Sequence, residues 1–348
     1  MKTTLKKLLV LSLALIMLLM AVACGNNDAS DTGSGNNDAN DSKLDTELEI
    51  KVYALNGTTA LGMADMIKKS ADGTDTMNYK FELFPAADQI TGAILTGECA
   101  IAALPTNAAA KLAQKSGGKI QLLAINTLGV LYLLENGGED IASLNDLEGE
   151  TVYLPGAGSN PEFITAALIE SAGLTVGEDI MLDTTTYPSP DALQAAMIAG
   201  TVKYAVLPEP KVTVTKAQNA EVGVALDLTK EWEKYNGENT LVQGCLVVNT
   251  QFAKDHPAEI AQFLDDYKSS VEFIAEGSDD AIATITADNV KILPSPQIAK
   301  NALPNCNICF IAGEDMKPLM KTFCEKLYSY NPESVGAVPS DGFYYVAE

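Results

Sequence analysis

Arginine is absent from all 348 residues, so each of the 23 basic side chains is a lysine. Bidentate clamps on carboxylate, sulfonate or phosphate are usually built from the guanidinium fork. An anion bound here would be held by backbone amides, hydroxyls or a lysine. Histidine occurs once, at His256 in "KDHPAE". That count excludes a poly-histidine metal site, and any Ser–His–Asp triad would have to be built on this one ring. Its place before Pro257 at a helix start reads as an exposed cap. Beyond Cys24 there are five cysteines, an odd number for a stapled exported domain. Cys99 and Cys245 lie in apolar, strand-like runs and read as core, while Cys306 and Cys309 in "LPNCNICF" leave a disulfide or a weak soft-metal pair open. Basic charge is scarce too. The formal charge is −23, and loss of the three lysines in residues 1–23 takes it to −26. Such a chain is a poor partner for nucleic acid or anionic lipid.

The apolar run 8–20, "LLVLSLALIMLLM", is shorter than the roughly 18 residues of a spanning helix. Lys2, Lys6 and Lys7 precede it and "AVAC" follows, which is the layout of a secretory signal. A Cys directly after Ala23 resembles a bacterial lipoprotein signal, although Ala21 stands where Leu is more usual. The resemblance implies cleavage before Cys24 and a lipid anchor, palmitate included, on its thiol. Residues 25–42, "GNNDASDTGSGNNDANDS", contain nothing apolar larger than Ala and read as a solvated tether. The expected location is therefore the extracytoplasmic face of the cell membrane, lipid-anchored. About 300 residues remain, enough for two lobes.

Those residues repeat a pattern. "ILTGECAIAALP" (94–105) and "MIAGTVKYAVLP" (197–208) match at an offset of 103: Gly97 with Gly200, Ala102 with Ala205, Leu104-Pro105 with Leu207-Pro208. Helix-like stretches (86–95 and 190–198) precede both, and each has Gly near the helix end and then a short apolar strand stopped by Pro. Likewise "LEIKVYAL" (48–55) leads through "NGTT" into a helical run 60–70, and "TVYL" (151–154) through "PGAGSN" into a run 161–172. The alternation predicts α/β lobes with mainly parallel sheets covered by helices. The long β-rich run 120–136 and the late strand 241–249 suggest a chain that crosses to the second lobe near 137 and returns near 228. The expected domains are 1–23 signal, 24–45 tether, 46–136 plus 228–348 first lobe, and 137–227 second lobe.

"SLNDLEGETVYLPGAGSNPEF", "GTVKYAVLPEP" and "ALDLTKEW", with the lipoprotein signal, resemble a substrate-binding lipoprotein of an ABC importer. The branch is the nitrate/sulfonate/taurine type of the type II periplasmic-binding-protein fold. The resemblance covers nearly all of 46–348 and implies two doubly wound, Rossmann-like lobes on a two-segment hinge (a Venus flytrap). It further implies capture of a small solute and delivery to a permease driven by a separate ATPase, as a monomer without cofactor or catalytic group. A solute-sensing receptor subunit, or an enzyme like those of thiamine-pyrimidine synthesis, is the alternative. The enzyme would call for a His/Cys-rich motif near the cleft.

In such lobes ligands bind outside the carboxyl ends of the strands, which selects four turns. "GAGSNP" has Pro161 where a dinucleotide fingerprint needs Gly, and lacks the Gly-Lys-Ser/Thr of a P-loop. Gly158, Ser159 and Asn160 are candidates to hold a solute at the following helix. A capping box from Ser159 and Glu162, or an Asn160 N-cap with Pro161 at the first helical position, would satisfy that helix internally instead. Asn56, Thr58 and Thr59 occupy the matching junction, and Thr106 and Asn107 follow "ALP" at another helix start. Glu209, between two prolines, is placed to accept from an amine or ring N–H. Asn126 and Thr127 interrupt an apolar strand and are either internally paired or ligand-facing. Tyr187 and Gln243 complete the set as aromatic and amide lining. Hydroxyls and amides with one acid favour a zwitterionic or polar heteroaromatic solute over a bare multivalent anion.

Overall fold

The computed structural model describes residues 44–138 and 141–347. The signal, Cys24 and the tether lie outside the described residues. Eleven strands are present among them: β1 Glu49–Leu55, β2 Asn78–Phe84, β3 Ile101–Pro105, β4 Ile120–Thr127, β5 Leu131–Asn136, β6 Thr151–Tyr153, β7 Met181–Asp183, β8 Tyr204–Pro208, β9 Val222–Asp227, β10 Gly244–Asn249 and β11 Ile308–Ala312. They form two sheets, in the orders β11-β4-β10-β3-β1-β2 and β7-β6-β8-β5-β9.

Apart from β11, the sheets follow one plan. In the first, β1 pairs in parallel with β2 and β3, and antiparallel β10 lies between β3 and β4. In the second, β6 pairs in parallel with β7 and β8, and antiparallel β5 lies between β8 and β9. The expected repeat is therefore structural: β3 and β8 occupy the same sheet position at an offset of 103 residues. Both strands are apolar along nearly their whole length and buried, because helices cover both faces. Gly97 and Gly200 close the preceding helical segments at φ 77° and 71°, the left-handed region where a side chain would be strained.

The antiparallel strand of each sheet follows a crossing. β5 belongs to the second sheet, so the chain leaves the first between Thr127 and Leu131, ahead of the expected residue 137. On the way back, the helix Leu228–Asn236 still packs on β5 and β9, and β10 enters the first sheet at Gly244. The return thus falls after residue 228. Leu131 and Leu133 continue the apolar run of β4, which hides the change of sheet in the sequence.

One apolar cluster runs across one side of both sheets, from Ala102, Leu104 and Ile125 to Leu131, Val152, Phe163 and Trp232. Separate clusters cover the other face of each sheet, with Val52, Leu61 and Phe263 in the first and Leu193, Ala205 and Val212 in the second. The helix expected over 60–70 is two, Thr58–Leu61 and Ala64–Asp72. At the break, a Cβ on Gly62 would lie 2.4 Å from the Tyr267 hydroxyl, so the backbone runs directly against the helix Pro257–Ala275. His256 precedes that helix as expected, but its ring makes no capping bond and packs on Phe252 at 4.7 Å. All five described cysteines are unpaired, including Cys306 and Cys309. Their sulfurs approach the carbonyls of Ala302 and Ile125, and burial pushes the Cys309 thiol up to about 12.

Candidate functional site

β3 ends at Pro105 and its next residue opens the helix Thr106–Ser116. The Thr106 amide donates to the Gln243 carbonyl at 3.2 Å, and its hydroxyl donates to the Val242 carbonyl at 2.6 Å. From the second sheet, the helix Asn160–Ser171 follows β6 and brings the Asn160 amide group to the same place. Asn160 Nδ2 donates to the Gln243 carbonyl at 3.2 Å and to Thr106 Oγ1 at 3.4 Å. Asn107 Nδ2 donates to the Gly158 carbonyl at 3.3 Å. The turns after β3 and β6 are thus bonded directly to each other.

Gln243 ties this junction to both crossings. Its backbone N–H donates to the Thr127 carbonyl at 2.9 Å, and its Oε1 accepts from the Val130 N–H. The Thr127 hydroxyl donates to Asn126 Oδ1 at 3.1 Å, and Asn126 Nδ2 donates to the Thr59 carbonyl at 3.1 Å. A chain of hydrogen bonds therefore runs from Thr59 to Thr106 and Asn160, and Asn107, next to Thr106, carries it on to Gly158. Thr106, Asn107, Asn126, Thr127, Asn160 and Gln243 are all buried. Asn126 and Thr127 are thus buried and hydrogen-bonded within the protein, at the strand end that faces this junction. β10 also comes very close: a Cβ on Gly244 would lie 2.5 Å from Asn126 Oδ1.

The glycine turn behaves differently from either capping expectation. Ser159 holds the N-cap position, but its hydroxyl donates backward, to the Gly156 carbonyl at 2.8 Å and to that of Pro155 at 3.2 Å. The Glu162 carboxylate accepts from the Gly158 N–H, one residue earlier than a capping box requires. Asn160 is already helical and Pro161 is the second helical residue. The Asn160 side chain is drawn away from its own helix by Gln243. Gly156 and Gly158 have φ of 80° and 74°, and a Cβ on Gly156 would lie 3.1 Å from the Pro188 carbonyl.

The remaining candidates spread outward. Asn56 is exposed, its N–H donating to the Phe84 carbonyl at 2.9 Å, and Thr58 is half-buried. The Thr59 hydroxyl donates to the Leu55 carbonyl at 3.1 Å. Tyr187 is half-buried with its ring edge-on to Tyr153 at 5.6 Å. Asp183 orders the segment before it, accepting from the amides and hydroxyls of Thr185 and Thr186, and these bonds pull its carboxyl down to about 2. Glu209 is buried and accepts from the Thr213 amide at 3.1 Å and hydroxyl at 2.9 Å. Burial raises its pKa, against the opposing effect of these bonds and of Lys216. It lines a cleft of about 650 Å³ with Tyr132, Thr213 and Lys216 on one side and Asn301 and Asn305 on the other. The Tyr132 hydroxyl reaches the Asn305 carbonyl at 3.4 Å.

Thr213, Asn305, Asp183 and the Val130 amide were not among the sequence candidates. The spacing of Glu209 and Thr213, one helical turn apart, was visible; the Val130 contact is backbone and leaves no sequence signal. His256 lines a separate surface pocket with Lys119, Asn249 and Lys254. Among the described residues no helix is long and apolar enough to cross a membrane.

Residues 85–281 match the family model described as "NMT1/THI5 like". Among curated proteins, none matches the sequence. Solved structures are similar throughout the described chain. An ABC transporter protein from Parabacteroides distasonis superposes with a TM-score of 0.69 at 22% identity, covering 87% of this chain and 100% of that one. The periplasmic aliphatic sulphonate binding protein SsuA of Escherichia coli gives 0.65 at 16%, covering 81% and 87%. The alkanesulfonate-binding protein SsuA of Xanthomonas axonopodis, bound to MOPS, gives 0.64 at 15%, covering 85% and 96%. The shared architecture is the two-lobed type II periplasmic-binding-protein fold.

Proposed function

Because this chain belongs to the NMT1/THI5-like family, we propose that it is the extracytoplasmic solute-binding lipoprotein of an ABC importer. It captures a small polar solute between its lobes and delivers it to a permease. One observation carries the reading: the turns after β3 and β6, from different sheets, meet at Thr106, Asn160 and Gln243, beside both crossings. Solute seated there is sensed by both lobes and by the hinge at once. The sulfonate-binding neighbours of the same fold favour import over catalysis. So does the sole histidine, which lines a pocket away from the cluster.

The lobes are taken as 44–127 with 244–347, and 131–227 with the helix Leu228–Asn236, joined by 128–130 and 237–243. Asn56, Thr58, Thr59, Gly158, Ser159 and Tyr187 form the outer lining, Thr106, Asn107, Asn126, Thr127, Asn160 and Gln243 the inner, and Glu209 the acid. A site of amides and hydroxyls with no arginine favours a zwitterion or polar heteroaromatic over a bare anion. Cys24 carries the lipid, and the protein acts as a monomer at the membrane surface.

Thermal-shift screening with sulfonates, nitrate, pyrimidines and amino compounds tests the reading. A true solute at one hundred times its Kd adds about 2.7 kcal/mol of stability by mass action. Tm values that stay flat across a broad metabolite library would overturn it. Intact-mass measurement of the membrane-extracted protein tests the anchor: the mature chain starts at Cys24 with an added acyl mass, and Cys24→Ala releases it from the membrane.

A further inference from the structure

Among the side-chain oxygens and nitrogens of the Thr106–Asn160–Gln243 junction, one is fully buried and lacks a hydrogen-bond partner, Asn160 Oδ1. Asn160 is 5% exposed, its Nδ2 is used twice, and its Oδ1 has no hydrogen-bond partner. The orientation of this amide follows from its surroundings. The Gln243 oxygen is a carbonyl and accepts only, so the nitrogen of Asn160 has to face it and the oxygen has to point away. A buried acceptor left unmet is costly and is normally answered by a donor. The atom stands on the first residue of the 12-residue helix Asn160–Ser171, where the turn after β3 is bonded to the turn after β6.

We propose that Asn160 Oδ1 is the specificity-determining atom at the junction of the two lobes, accepting an N–H or O–H from the solute when the lobes part to admit it. The inference rests on the solute-binding reading and narrows it. The solute presents a hydrogen-bond donor to the start of this helix; it does not present an aprotic anionic head there. Thr106 and Gln243 position the amide, and the oxygen reads the ligand. A solute whose donors have been methylated leaves the buried oxygen unmet and gains nothing in return. A site built to bond one polar group rejects an analogue lacking it far more strongly than an apolar pocket rejects a missing methyl.

The test is isothermal titration of the full chain in detergent with matched pairs that differ in donors: uracil against 1,3-dimethyluracil, γ-aminobutyrate against its N-trimethyl form, and taurine against ethanesulfonate. In at least one pair the donor-bearing member binds about tenfold or more tightly than its partner. Asn160→Ala, checked for an unchanged far-ultraviolet dichroism spectrum, removes that preference. The wild-type ratio alone tests the donor requirement should the variant fail to fold. If the donorless members bind as tightly as their partners, the inference falls and solute binding stands. A preference that survives Asn160→Ala in a folded variant also overturns it. If neither the pairs nor a broad metabolite extract yields any bound compound, the solute-binding reading itself falls, and the inference with it.

Discussion

Glu209 is a carboxylate kept from water with Thr213 as its hydrogen-bond partner, and its raised pKa has a definite sign in stability. A folded state that binds this proton more tightly than the unfolded chain gains from it at pH below the ordinary value of 4.5. That gain is lost as pH rises through the raised value. At pH 7, Glu209→Gln is therefore expected to raise Tm, and the advantage should shrink as pH is lowered from the raised value to 4.5 and change no further below it; a gap independent of pH would refute the assignment. At Gly244 the sign is steric. A Cβ there would lie 2.5 Å from Asn126 Oδ1 and 2.9 Å from Thr127 Cβ, both in buried residues. Gly244→Ala should cost about 1–3 kcal/mol by overpacking, read from the midpoint of urea unfolding.

Between the residue and the whole, the repeated unit of helix, glycine, strand and proline makes its own prediction. Gly97 and Gly200 hold equivalent left-handed positions, and no atom lies within 3.4 Å of a Cβ built at either. Gly97→Ala and Gly200→Ala should each cost about 1–2 kcal/mol, from backbone strain alone, and by similar amounts. Gln243→Ala acts at the crossings: it strips the Val130 N–H of its acceptor, an expected loss of about 1–3 kcal/mol in chemical denaturation. These elements also show what the sequence could and could not say. β3, β8 and the helix Pro190–Ile198 were legible because local periodicity, glycine and proline dictate them. The split at Gly62, the Asn160 side chain bonded to Gln243 and the early crossing at 128–130 were not, since each depends on a distant partner: Tyr267, the Gln243 carbonyl and the neighbours of β5. Among the candidate site residues, the polar ones at strand ends could be named, yet their bonding to one another could not.

At the scale of the molecule, the apolar cluster shared by both sheets ties the lobes into one cooperative body. Calorimetry of the solute-free protein should show a single transition with equal calorimetric and van 't Hoff enthalpies; two resolved transitions would show that the lobes melt independently. The strand plan has another consequence. Residues 131–227 contain every strand of the second sheet, whereas the first needs β10 and β11, which come after 243. A chain emerging amino end first can finish its later half before its earlier one. Residues 49–127 meanwhile wait with the open flanks of β3 and β4 unzipped, so a ribosome stall or a proteolytic nick just beyond 230 would strand the older segment as a sticky orphan beside a completed younger sibling.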